Sequence, residues 1–149
     1  MISIENAINI VKKNCESVTK SETRKVTEAF SYTLSKDIVS QINMPPFRQS
    51  AMDGYALHLH EKLTYNLIGE VKAGDAHQPI LKQGDAVRIF TGAPVPDTAN
   101  AVMMQEKVKT DTNHIIIEHH LSEAYNIRPL GEQVKQGDVA LKKDTKLTP

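Results

Sequence analysis

The sequence predicts an α+β fold: one amphipathic helix at the N-terminus, followed by a mostly β middle region of short strands. Three observations predict it. Ile4, Ala7, Ile8, Val11 and Cys15 recur at spacings of three and four, which places them on one helical face. Five of the seven prolines lie between Pro45 and Pro96, and five of the seven glycines between Gly54 and Gly92. Turns such as Ala73-Gly74-Asp75 and Gln83-Gly84-Asp85 follow one another about ten residues apart, the spacing of a small all-β module.

Each element follows from local chemistry. The helix runs over about residues 3–14, with Ser3 as its cap and Glu5 near the positive end of the helix dipole. Its apolar face, carrying Ile8 and Val11, is expected to be buried, and Cys15 on that face reads as a packed thiol. Residues 25–27 read as extended, 28–34 as a short helix and 37–42 as a strand. Pro45-Pro46 ends any regular element. Candidate strands then cover residues 52–57, 64–71, 86–90, 101–108 and 114–118. Lys82-Gln83-Gly84-Asp85 returns as Lys135-Gln136-Gly137-Asp138, one turn chemistry used twice. Val134, Val139, Leu141 and Leu147 mark a more charged closing stretch, which stops at Thr148-Pro149 as a piece of something longer would.

Composition narrows the function. Of 149 residues, 40% are hydrophobic and 24% charged, the balance of an ordinary globular domain. Eighteen basic residues offset eighteen acidic ones, and no basic stripe of the kind nucleic-acid binders carry is present. The longest apolar run is the four residues 101–104, far short of a membrane span or a signal peptide, so a cytoplasmic protein is expected. One cysteine forms no internal disulfide and no Cys-rich metal site.

Two segments carry candidate chemistry. The first is Pro45-Pro46-Phe47-Arg48-Gln49-Ser50-Ala51-Met52-Asp53-Gly54-Tyr55-Ala56, where small residues surround one acid. It reads either as an Asp-Gly turn or as a presented carboxylate. The second is Arg88-Ile89-Phe90-Thr91-Gly92-Ala93-Pro94-Val95-Pro96, a strand leaving through Thr-Gly and two spaced prolines. It reads either as a proline-stiffened exit or as a nest, in which backbone N–H groups near Gly92 and the Thr91 hydroxyl receive an anion. His58 and His60 would share a strand face, His119 and His120 would face opposite ways, and Arg128 with Glu132 reads as an exposed ion pair.

Together these segments resemble the MoeA/gephyrin E-domain family, the molybdopterin molybdenumtransferases. The first is similar to its strongest marker and the second to its next. A third marker runs from Asn126-Ile127-Arg128-Pro129 through Gly131-Glu132 to Gly137-Asp138, supported by Val71-Lys72-Ala73-Gly74 and by Glu106. Departures fall mostly in turns: Gln133 stands where the family usually has Asp, Asp97-Thr98-Ala99-Asn100 where it has Gly-Ala-Asp, and Asp144 where it often has Gly.

The resemblance implies a non-contiguous, extended domain I from residues 1–42 and 129–149, around a barrel-like, β-rich domain II at 43–128. It covers the N-terminal part of the family only, so the pterin-binding domain lies elsewhere. It implies transfer of molybdate into adenylylated molybdopterin, with release of AMP, during molybdenum cofactor biosynthesis. Mg²⁺ would assist. A homodimer would share its active cleft between subunits, among other molybdenum cofactor biosynthesis proteins and with neither nucleic acid nor membrane. Carried over by motif, Asp53 and Thr91 are the catalytic candidates, and Ser50, Gly54, Arg88 and Gly92 the substrate-binding ones. A bare carboxylate repels molybdate and pyrophosphate, so Asp53 is expected to hold Mg²⁺ while Thr91 donates to an oxyanion. Residues 43–106 carry five basic side chains against seven acidic ones, so the phosphate clamps are expected from another domain. The chain alone is then expected to be inactive. The alternative is a non-catalytic dimerisation or scaffolding module of the same lineage.

Overall fold

The computed structural model describes residues 2–15, 20–75 and 78–148. The chain divides into two units, residues 1–37 with 142–149, and residues 38–141.

In the first unit, helix α1 spans Ile4–Asn14. The Ser3 hydroxyl accepts from the Asn6 amide at 3.2 Å, and Lys12 and Lys13 occupy the last turn, where the dipole favours cations. The amphipathic face is present but not buried: Ile8 is 48% and Val11 59% exposed, and Cys15 is exposed as well. An apolar helix face is buried only when another element packs on it, and no described residue covers this one.

Two local expectations give way to tertiary pairing. Val26–Glu28 is a 3₁₀ turn where an extended segment was expected. Residues 28–34 do not form a helix. Ser31 takes φ 67°, which interrupts any helical run, and the backbone bonds the far end of the chain instead. Ser31 N donates to Leu147 O at 3.0 Å, and Leu34 N to Thr145 O at 2.9 Å. Asp144, standing where the resemblance leads one to expect Gly, adopts φ 68°, a conformation Asp tolerates better than most residues.

In the second unit, β1 (Ile38–Val39) pairs with β10 (Val139–Leu141), and β2 (Gln49–Ser50) with β9 (Ile127–Arg128). The expected strand at 37–42 thus shrinks to two residues, because the β1–β10 register slips between Ile38 and Val39. The main sheet holds β3 (Gly54–Leu57), β4 (Thr64–Val71), β5 (Asp85–Ile89), β6 (Ala101–Met104), β7 (Val108–Asp111) and β8 (His114–Ile117). Their spatial order is β6-β3-β5-β4-β8-β7. Residues 101–108 are therefore not one strand. A 3₁₀ turn at Gln105–Lys107 carries the chain from one edge strand to the other. Three residues can join opposite edges only if the sheet curls on itself, which gives a half-barrel.

Strand alternation builds two cores, one on each face of the sheet. Ala56, Val71, Val87, Ile89 and Val102 pack on one face with Leu81, Ala93, Val95 and Ala99 from the loops. Tyr55, Leu57, Tyr65, Ala86, Met103, Ile115 and Ile117 pack on the other. The turns are one device used three times. Lys72, Lys82 and Lys135 each donate their amide to the Asp three residues on, and the intervening Gly74, Gly84 and Gly137 take φ between 86° and 92°. His58 and His60 lie outside any strand, bonded to the Leu81 and Thr64 carbonyls. Arg128 and Glu132 make no ion pair among the described residues.

Candidate functional site

The register of the sheet assembles the candidate residues. Gly54 pairs with Ile89 across β3 and β5, so Asp53, just before one strand, falls beside Thr91, just beyond the other. Both side chains are exposed. Asp53 Oδ1 accepts from the Thr91 amide at 2.7 Å and from the Thr91 hydroxyl at 2.8 Å. Asp53 Oδ2 has no hydrogen-bond partner among the described residues. The two Thr91 bonds hold the Asp53 carboxyl below the usual carboxylate range, and the Arg88 charge adds to them.

Gly54 is required by close packing. A Cβ there would lie 1.9 Å from the Met103 carbonyl oxygen on β6. Ser50 is 1% exposed, and its hydroxyl donates to the Met52 carbonyl at 2.7 Å. Its backbone ties the second motif to the first: Ser50 N donates to Ala93 O at 3.0 Å, and Gly92 N to Ser50 O at 2.9 Å. The Arg88 guanidinium carbon lies 5.2 Å from the Tyr55 ring centroid and 4.8 Å from that of Phe90. Its Nη1 donates to Gly54 O at 2.7 Å and its Nη2 to the Gln105 side chain.

The anion nest expected around Gly92 is not formed. Thr91 N is taken by Asp53, Gly92 N by Ser50, and Ala93 N by Phe90 O at 2.9 Å. The Thr91 hydroxyl is likewise spent on Asp53. Thr91 spends both its donors on the carboxylate and the next two amides go to backbone carbonyls, so what the motif presents outward is a negative oxygen.

That oxygen suits a hard cation. No cluster of three or more His, Cys, Asp or Glu side chains forms among the described residues. A divalent ion here would take one protein oxygen, Asp53 Oδ2, and complete its shell with water or phosphate oxygens, the usual habit of Mg²⁺. Sequence reasoning missed Gln105. Its backbone amide donates to the Asp53 carbonyl at 3.0 Å, and its side chain meets Arg88. Only the pairing of Gly54 with Met104 across β3 and β6 shows that residue 105 lies beside residue 53.

Residues 2–149 match the family described as the MoeA N-terminal region, domains I and II. The chain is 37% identical to a molybdopterin molybdenumtransferase of Haemophilus influenzae, across all of this chain and 38% of that one. It is 28% identical to one of Staphylococcus epidermidis, across 98% of this chain and 36% of that one. A crystal structure of the molybdopterin biosynthesis moeA protein from Pyrococcus horikoshii OT3 superposes with a TM-score of 0.88 at 32% identity, covering 97% of this chain and 40% of that one. The chain thus spans under two-fifths of the length of these curated relatives.

Proposed function

The chain belongs to the MoeA N-terminal family, and we propose that it supplies the acidic half of the active cleft of a molybdenum insertase. The reaction proposed is transfer of molybdate into adenylylated molybdopterin, with release of AMP, in the cytoplasm. The observation that carries this reading is the Asp53 carboxylate, exposed, ionised and fixed through one oxygen by Thr91.

The geometry supports a division of labour. Thr91 positions Asp53 and does not itself reach for an oxyanion. Asp53 Oδ2 would hold Mg²⁺, which when bound would supply charge neutralisation beside phosphate and molybdate. Ser50, Gly54 and Gly92 support from behind: the Ser50 hydroxyl is buried, the Gly92 amide is spent, and Gly54 admits no side chain. The phosphate clamps come from outside residues 43–106, whose side chains are acidic in balance. On this reading the chain alone does not insert molybdate. The insertase works as a homodimer whose cleft is shared between subunits, beside other enzymes of the pathway. The uncovered apolar face of α1 supports a partner surface.

The test is Asp53→Asn in the whole enzyme. Asparagine keeps an Oδ1 that accepts both Thr91 bonds, so the geometry stays while the charge goes. Molybdate insertion should fall about 100-fold, in the range of losing one preorganised electrostatic group, while the enzyme stays folded. Unchanged insertion kinetics would remove Asp53 from the mechanism.

A further inference from the structure

We propose that Gln105, working with Arg88, is a positioning residue that fixes the Asp53 backbone and thereby aims its carboxylate. The contacts close a ring. The Gln105 amide donates to the Asp53 carbonyl at 3.0 Å. The Gln105 side-chain oxygen accepts from Arg88 Nη2. Arg88 Nη1 donates to the Gly54 carbonyl at 2.7 Å, one residue beyond Asp53. Both carbonyls flanking the Asp53–Gly54 peptide region are thus held by one guanidinium–amide unit.

Three facts make the ring a device for positioning. The Arg88 guanidinium is planar, lies 5.2 and 4.8 Å from two ring centroids and is bonded through both Nη atoms, so its fork has little freedom to swing. Gln105 is exposed, so its side chain adds little to the core. Gly54 opens β3 with no side chain to pack there, and it follows a residue whose carboxylate is anchored by one oxygen only. A wobble of the 53–54 backbone would carry Oδ1 away from Thr91. Gln105 opposes that wobble from beyond β6, across β3 from the strand β5 that leads to Thr91. Arg88 Nη1 also approaches the Ile89 carbonyl at 3.3 Å, so the guanidinium is tied to the protein at three acceptors.

The inference rests on the proposed role of Asp53 for its consequence in catalysis, but not for its structural half. The two are separated by two readouts. The first is amide hydrogen exchange in the 149-residue chain, comparing Gln105→Met, which removes the acceptor for Arg88, with Gln105→Glu, which keeps one. Thr91 amide exchange should quicken about tenfold in Gln105→Met and stay near the parent in Gln105→Glu, while the Ala56 and Val87 amides in the core keep their protection. Unchanged Thr91 exchange in Gln105→Met overturns the proposal. Equal loss at Ala56 and Val87, or failure to fold, also overturns it, because the residue would then be structural in general. The second readout is molybdate insertion by the whole enzyme carrying Gln105→Met. The turnover number should fall while the KM for adenylylated molybdopterin holds. Faster Thr91 exchange with full insertion activity would leave the positioning ring standing and defeat the role assigned to Asp53.

Discussion

At the scale of single residues, the account turns on what Thr91 does for Asp53. Hydrogen bonds to an ionised carboxylate favour the ionised form, so the lowered Asp53 pKa has a definite sign in pH. The stabilisation is whole above the ordinary carboxylate value of about 4, and is lost as pH falls through the lower native value. Thr91→Ala removes the hydroxyl donor and leaves the amide, so the Asp53 carboxyl titration should move upward, partway to the ordinary range. A carbon-13 titration of Asp53 in parent and variant reads this directly; an unmoved midpoint would show that the hydroxyl bond contributes nothing. Gly54 yields a harder prediction. Gly54→Ala places a methyl 1.9 Å from the Met103 oxygen, and β3 and β6 must part to admit it. The cost should reach about 3 kcal/mol, the upper end of overpacking penalties, read as a lower urea midpoint. Both residues are visible in the sequence as an Asp-Gly pair, but the pairing of Asp53 with Thr91 is not, since it depends on the β3–β5 register across 38 positions.

At the scale of elements, what the sequence discloses depends on how local the cause is. Helix α1 is legible because its cap, dipole charges and apolar spacing are all within its own residues. Strand β4 is legible at both ends because its bounding turns are. The three Lys-to-Asp turns are likewise local, and two of them share the same four letters. Residues 28–34 mislead because their backbone is claimed by residues 145–147, more than a hundred positions away. The break after Met104 misleads for a related reason: apolar residues resume at Val108 after only Gln105-Glu106-Lys107, and it is closure of the sheet that makes those three a turn. One element carries a flaw that can be tested. Among the described residues, the Tyr65 hydroxyl on β4 is buried with no hydrogen bond of good geometry, the His60 backbone being its nearest polar neighbour. Removing an unsatisfied buried donor relieves its desolvation, so Tyr65→Phe should leave stability unchanged or raise it by up to about 1 kcal/mol. A loss of more than that in urea unfolding would show that the hydroxyl is bonded in solution.

At the scale of the whole molecule, the unit of residues 38–141 carries the candidate site by itself. A sheet with a core on each face fixes the strand ends, the strand ends bring two sequence motifs together, and the motifs turn a carboxylate outward. Among the described residues, the amides of residues 91–93 and the Thr91 hydroxyl already donate within the protein, so these four donors are not free for an anion. The family's motifs were legible from the sequence; this spending of donors was not, because it takes the folded backbone to count them. The central claim is therefore that this chain completes a site whose phosphate-binding half lies outside it. The most direct measurement is titration of the 149-residue chain, and of its Asp53→Asn variant, with adenylylated molybdopterin in the presence of Mg²⁺. The account predicts no saturable binding by either chain up to about millimolar ligand, where a standard binding free energy would be only about −4 kcal/mol. Micromolar binding by the parent that Asp53→Asn abolishes would contradict it, and would make this chain a substrate-binding half-site in its own right.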